Sequence, residues 1–467
     1  MIFQTKKMNR EELKECELSC DKTGVLFFAE NRVFRGINSE SENFARELLN
    51  SDFFKRAFEK ELFVETKIAS EKIDGFPLLL EHKNCNPLCL SYEWTPAKIK
   101  KMALRVLQLM ILCEEHGYCL VDPHVNNVVQ SFSCFTYIDF GSLQKSTDSK
   151  MKEKSKSMFI RNFYLPLVLI ERGQFELSRS LFLRRVELSD KDDYCLRTFF
   201  RPVFLSEWVS KIFRFWNKAK IADARDWEAK GLPIILSRFL RIILPKHNYL
   251  KVLNGLKGVI EQLSCQYESK WANYQHTANP QDLARFDLYI EIAGEIGPFE
   301  SIVDLACNEG ALSKKMIEKK LCKRAFAIDT DVAALESLDR DQNNDILTFL
   351  SDVMRPDGRQ YDSHIRDRVQ SDCVFALALT HHLYLSQGFS WKAIVDAITS
   401  YTKKYIFIEF MPLGLFDGTK SSSNDLPVDY SEKAFKKNLT TTCSIIKKVV
   451  VSDNRTLFVA VLKEKEV

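Results

Sequence analysis

Nowhere does this 467-residue chain approach the ~20 consecutive apolar residues that a membrane-crossing helix requires. Its longest apolar runs, FYLPLVLI and LPIIL, are far too short, so any membrane contact is expected to be peripheral. The opening MIFQTKKMNREELKE has no apolar centre and does not read as a signal peptide, which points to a cytoplasmic protein. Glycine is scarce. Before residue 118 there are only Gly24, Gly36, Gly75 and Gly117, which excludes a G-x-G-x-x-G loop over nucleotide phosphates there. Charge is nearly balanced, with 67 Lys and Arg against 63 Asp and Glu, and no basic stripe calls for a nucleic-acid partner. The 13 cysteines lie scattered in apolar segments, as in a reducing compartment, and form no disulfide framework. Cys16/Cys20 and Cys85/Cys89 have C-x-x-x-C spacing, from which a four-thiolate zinc site would be built. Neither pair has a knuckle glycine or flanking aromatics, and ordinary buried cysteines are the plainer reading.

What is present suffices for two cores, since 467 residues exceed one ordinary domain. GVLFFAENRVFRGI (24–37) reads as a hairpin and residues 40–60 as a helix. LLLEH reads as a strand followed by an irregular crossing. KIKKMALRVLQLMILCEEHG reads as a strong helix stopped by Gly117. The N-terminal sheet reads as trimmed to one hairpin with one helix. KSTDSKMKEKSKS (145–157) reads as a polar surface loop, 159–240 as aromatic-rich helix, and 248–270 as a connector helix. From Glu300 onward SIVDLA, RAFAID, ILTFLSD, CVFALAL, KYIFIEF and TLFVAVL alternate with helical stretches. This is the pattern of an α/β doubly wound, Rossmann-like sheet.

Such sheets bind ligands beyond the carboxyl ends of their strands. There the first strand runs into C-N-E-G-A-L-S, a sharp turn in which Gly310 is permissive and Ala306 and Asn308 are small. Asp329 closes the second strand, about 20 residues on, where an acid accepts ribose hydroxyls. Asp352 closes the third, placed to accept from an adenine amino group. His381 and His382 are expected at the end of the fourth strand and Glu409 at the end of the fifth, facing one cavity. One histidine would serve as a general base, or else cap the strand and pack on the ligand. Glu409 would be a catalytic or acceptor-site carboxylate.

DLACNEG, ALTHHL, IEF and RTLF, with Trp271 and Tyr274 upstream, make the region from Trp271 to the end resemble class I S-adenosylmethionine (SAM)-dependent methyltransferases. The likeness is nearest to the bacterial nodulation-type, surface-polysaccharide sugar methyltransferases. The resemblance implies that Asp304, Ala306, Asn308, Gly310, Asp329 and Asp352 hold SAM. It also implies that Trp271 and Tyr274 form a lid or acceptor wall.

A second constellation lies upstream. Asp122, Asn127 and the Asp139 of D-F-G have the spacing of a kinase active site, in which an Asp positions the acceptor and Asn and Asp hold metal. Residues 20–215 thus resemble the kinase-like fold, although no V-A-I-K lysine is visible. Arg35 in VFRGI stands at a comparable strand position, with Glu42 or Glu47 as its expected partner. The divisions expected are an α+β kinase-like, degenerate domain (1–215), a helical connector (216–270) and a methyltransferase domain (271–467). The resemblance implies SAM as cofactor and O-methylation of a sugar of a surface glycan or its precursor, with the first domain presenting the acceptor. ATP and Mg2+, held by Asn127 and Asp139, follow only if the kinase-like site is active. The alternatives are a bifunctional kinase–methyltransferase, a methyltransferase of RNA or protein, and a silent scaffold. Against the RNA and protein readings, no N-P-P-[YF] strand end or basic stripe is present. Against the scaffold stand three intact aspartates.

Overall fold

The computed structural model describes residues 8, 13–16, 22–29, 31–132, 134–184, 248–265, 267, 269, 280–341, 343–358, 363–415 and 426–464. Cys20, Trp271, Tyr274 and most of the aromatic-rich stretch lie outside them. The chain divides into two compact units. The first takes Met1–Cys85, Lys98–Val129 and Phe135–Cys265, and the second takes Asn86–Ala97, Gln130–Cys134 and Gln266–Val467.

The first unit carries more sheet than its sequence promised. Strands β1 (Lys14–Glu15), β2 (Gly24–Ala29), β3 (Arg32–Ile37), β4 (Thr66–Ile68) and β5 (Leu78–His82) form one antiparallel sheet, ordered β1-β2-β3-β5-β4. The expected hairpin is its centre. β1 and β4 are two and three residues long, too short to show a period. The single helix expected at 40–60 is two, α1 (Glu42–Leu49) and α2 (Asp52–Glu59), because Ser51 turns extended and its hydroxyl accepts from Phe54 N–H. Helix α3 (Pro96–Glu115) ends where Gly117 adopts a left-handed φ of 77°. Strand β6 (Tyr118–Leu120) later pairs with β9 (Leu143–Lys145), and β7 (Val128–Ser131) with β8 (Cys134–Tyr137).

The polar loop expected at 145–157 is corrected to the end of β9 and a helix, α4 (Ser149–Phe159). Asp148 caps it by accepting from Met151 N–H at 2.7 Å. Lys152 pairs with Glu114, and Ser155 donates to Leu120 C=O. Low sequence complexity hid a helix that buries little, only Ser155 and Phe159 among its residues. Helices α5 (Leu165–Glu171), α6 (Phe175–Arg184) and α7 (Tyr249–Gln262) complete the described part of this unit.

The second unit is an open sheet. After α8 (Pro280–Ile296) come β10 (Phe299–Leu305), α9 (Ala311–Glu318), β11 (Cys322–Asp329), α10 (Val332–Arg340), β12 (Ile346–Leu350), α11 (Ile365–Arg368), β13 (Ser371–Ala376), α12 (Trp391–Thr399) and β14 (Thr402–Phe410). Then follow α13 (Glu432–Thr442), β15 (Cys443–Ser452) and β16 (Arg455–Leu462). The order is β12-β11-β10-β13-β14-β16-β15. The first five strands are parallel, and β16 runs antiparallel to both its neighbours. All six expected strands are present. The seventh, β15, escaped notice because it is an edge strand whose residues alternate between half-buried and exposed, with Lys447 and Lys448 at its middle.

Two short segments from the N-terminal half of the sequence belong to this unit. In 86–97, Tyr92 and Trp94 are buried, and the Cys89 thiol points to Thr348 C=O on β12 at 3.5 Å. Glu93 pairs with Arg368, which also donates to Leu88 C=O, and Ala97 N–H donates to the Glu336 carboxylate at 2.9 Å. In 130–134, Phe132 lies 5.7 Å from the ring of Phe326 and beneath Arg324.

Candidate active site

The strand order reverses between β10 and β13, so the crevice lies at the carboxyl end of β10. The turn leaving β10 holds Ala306, Asn308 and Gly310 at φ of 55°, 52° and 72°. All three left-handed positions are therefore real. Gly310 is demanded twice over, since a Cβ there would also meet Leu338 at 2.6 Å. Asn308 adopts this geometry at small cost, whereas Ala306 stores roughly 1–2 kcal/mol. The turn is braced from β11. Asp329 accepts from Asn308 N–H at 2.7 Å through one oxygen and from Asp331 N–H at 2.8 Å through the other. Burial raises the Asp329 pKa despite these bonds. Asp352 lies two residues past β12, and its Oδ1 accepts from Met354 N–H at 2.7 Å and Arg355 N–H at 3.0 Å.

Asp304 faces inward. It is buried and accepts from the Ser313 hydroxyl of α9 at 2.7 Å. Burial pushes its carboxyl up to about 7, with Asp329 adding repulsion and the Ser313 bond opposing. An unfolded aspartate ionises near ~4. Between that pH and about 7 the folded state holds the extra proton, so stability falls as pH rises through this window and levels off above it. Asp304→Asn removes this titration. The melting temperature of the variant relative to the parent should rise between pH 5 and pH 8. An equal difference at both pH values would contradict a protonated Asp304.

The histidine pair sits beyond its strand. β13 ends at Ala376, Ala378 turns left-handed at φ 50°, and His381 and His382 follow at the head of a π-helical turn, 382–386. Their ring centroids lie 4.1 Å apart with the planes tilted by 39°. His381 is buried, and its Nδ1 makes no hydrogen bond. Burial, with repulsion from His382 and Arg455, pushes its pKa down to about 3, so the ring is neutral.

Glu409 is fully enclosed. Its carboxylate accepts from the Tyr289 hydroxyl, from Ala378 N–H at 2.5 Å and from Arg455 Nη1 at 3.1 Å, with Arg285 Nε at 3.9 Å. Its backbone carbonyl accepts from the Thr380 hydroxyl at 2.7 Å. The cavity-facing carboxylate expected here is thus replaced by the hub of a buried ion cluster. Arg285 and Tyr289 escaped sequence reading. The available signal was two polar residues four apart on α8, a spacing that places both on one face of a helix.

In the first unit Asn127 donates to the Asp122 carboxylate and carbonyl, each at 3.1 Å, and lies 3.2 Å from the Tyr137 hydroxyl. Asp139 accepts from Gly141 N–H and the Ser142 hydroxyl. Arg35 is buried and pairs with Asp139 at 3.6 Å. Of its expected partners, Glu42 pairs with Arg46 and Glu47 with Lys145. Among the described residues no cluster of three or more His, Cys, Asp or Glu is placed to hold a metal ion, and no helix is long and apolar enough to cross a membrane.

No family model matches the chain. The nodulation protein NoeA of Rhizobium meliloti (strain 1021) is 26% identical over 468 residues, covering 94% of each chain. The N-methyltransferase NodS from Bradyrhizobium japonicum WM9, solved with S-adenosyl-L-homocysteine, covers 41% of this chain and 93% of its own, at 13% identity and a TM-score of 0.31. Magnesium protoporphyrin IX methyltransferase from Synechocystis PCC 6803, solved with bound SAM, covers 42% and 86%, at 13% identity and a TM-score of 0.30. The strand order and the left-handed turn of this chain itself decide the fold. The second unit has the fold of a SAM-dependent methyltransferase.

Proposed function

We propose that the chain is a SAM-dependent methyltransferase that O-methylates a sugar of a surface glycan or its precursor. The observation that carries the methyltransferase reading is the Asn308–Asp329 bond. It sets a carboxylate against a left-handed turn at the switch point of the sheet, the place where sheets of this kind bind their ligands. Asp329 would take the ribose hydroxyls, Asp352 the adenine amino group, and the 306–310 backbone the methionyl end. Asp304 would brace the turn from inside. The cofactor, when bound, supplies an electrophilic methyl group.

The chain must then orient an acceptor hydroxyl and take its proton. His381 is neutral, as a base must be before it acts, and is the candidate to take the proton; with its pKa pushed down by burial, it would hold that proton only beside the charge that develops on the reacting groups. Glu409 acts through others: it holds Ala378 N–H and Thr380, and so the segment that leads to the histidine pair. Support for the sugar acceptor comes from the ALTHHL, IEF and RTLF motifs and from the nodulation protein NoeA as a relative.

The first unit we read as a kinase-derived module that presents the acceptor. Its five-stranded sheet with helices after β3, and the Asp122–Asn127 pair, suit that ancestry. Asn127 and Asp139 would hold Mg2+ in a bifunctional enzyme. The spacing favours that second reading, but both side chains already serve protein partners.

Incubating the protein with methyl-labelled SAM and cell extract, then fractionating, tests the whole. Label is expected in glycan, and Asp329→Ala should weaken SAM binding at least ~tenfold and transfer with it. Label in RNA or protein would overturn the acceptor, and unchanged SAM binding in the variant would overturn the ribose assignment.

A further inference from the structure

We infer that Arg366, which no motif singles out, is a positioning residue that sets the adenine preference of the site by holding the Asp352 turn in place. The inference rests on the reading of Asp352 as the adenine acceptor. Both bonds to Asp352 Oδ1 come from the next three residues, so they fix the carboxylate relative to its own turn and not the turn relative to its surroundings. Alongside the Arg355 guanidinium, which lies over the Phe389 ring at 5.0 Å, Arg366 supplies an anchor. Its Nη2 donates to Val353 C=O at 3.0 Å and lies 3.4 Å from Met354 C=O, the two carbonyls directly after Asp352.

The guanidinium is itself held. It lies 5.7 Å from the centroid of the fully buried Tyr401 ring. It stands on α11, whose first turn is capped by His364 Nδ1 accepting from Arg366 N–H at 3.3 Å. Two residues on, Arg368 fastens the same turn of helix to Glu93 and to Leu88 C=O. Both bonds leave the single nitrogen Nη2, so one amino end bridges two consecutive carbonyls while the guanidinium plane lies over Tyr401; a lysine, shorter and without that plane, is a poorer strut.

A carboxylate rewards a 6-amino purine, which donates to it, and penalises a 6-oxo purine, whose oxygen would face it without a proton. That discrimination depends on the carboxylate standing within hydrogen-bond reach, so it is sensitive to displacement of the turn by a fraction of an ångström.

The test titrates S-adenosylhomocysteine and S-inosylhomocysteine into the full-length protein, into Arg366→Met and into Arg366→Lys, with urea melts confirming that each is folded. The parent should prefer the adenosyl compound by about 100-fold, Arg366→Met should lose about tenfold of that preference, and Arg366→Lys should fall between. If both affinities drop together and the ratio holds, Arg366 is merely structural and the inference fails. Should Arg366→Met not fold, a ratio in Arg366→Lys equal to the parent's overturns it equally. A parent that binds neither compound retires the SAM reading itself, whereas a parent that binds both alike retires the role of Asp352.

Discussion

Glu409→Ala is expected to destabilise the protein by about 3–5 kcal/mol, the cost of removing one partner from a buried ionic cluster. The carboxylate is wholly enclosed, and the arginines it serves, Arg285 and Arg455, expose only 10% and 13% of their side chains. Tyr289 keeps its proton, because burial and the adjacent Glu409 raise its pKa far above the ordinary range, so it donates at any working pH. Alanine would strand two nearly buried guanidinium groups beside a lost anion and free the left-handed Ala378 from the carboxylate that accepts its N–H. Glu409→Gln, which retains acceptor geometry on one side, should cost less. Urea denaturation of both variants checks this. If Glu409 were instead an open catalytic carboxylate, Glu409→Gln would abolish transfer while leaving stability within ~0.5 kcal/mol of the parent.

This residue also shows where sequence was informative and where it stopped. KYIFIEF announces a buried parallel strand through its near-continuous apolar residues, and a carboxylate inside such a strand must have partners. Which partners is a long-range fact: Tyr289 is 120 residues away. The turn was legible because Asn and Gly at alternate positions are those that tolerate positive φ, and only Ala306 had to be taken on spacing. The histidine pair was legible as residues but not in place, since nothing local marks Ala376 as the end of β13 or His382 as the start of a π turn. In the first unit the D-F-G spacing pointed to Asp122, Asn127 and Asp139, of which Asn127 bonds Asp122. It could not foretell that Asp139 would take Arg35, because that pairing depends on strands more than 100 residues upstream.

Least legible was segment 86–97, an irregular stretch in a region whose motifs spoke of something else. Its place in the second unit yields the other large effect. Glu93→Ala should cost about 3–5 kcal/mol, since Glu93 and Arg368 are both almost fully buried and face each other across 275 residues of sequence. One Glu93 oxygen also accepts from Leu90 N–H at 2.8 Å, so the carboxylate shapes the segment as well as pairing it. Arg368→Met alone should likewise be costly, because it leaves Glu93 buried and charged. Joined in one chain, the two changes remove both charges together and leave a methionine to fill the space. The double variant should therefore lose at least ~1 kcal/mol less than the sum of the single losses, a coupling that chemical denaturation of the four proteins measures directly. Additive losses would mean that the pair does not hold segment 86–97 to α11. In that case the anchoring of α11, on which the Arg366 strut depends, would have to come from its packing alone.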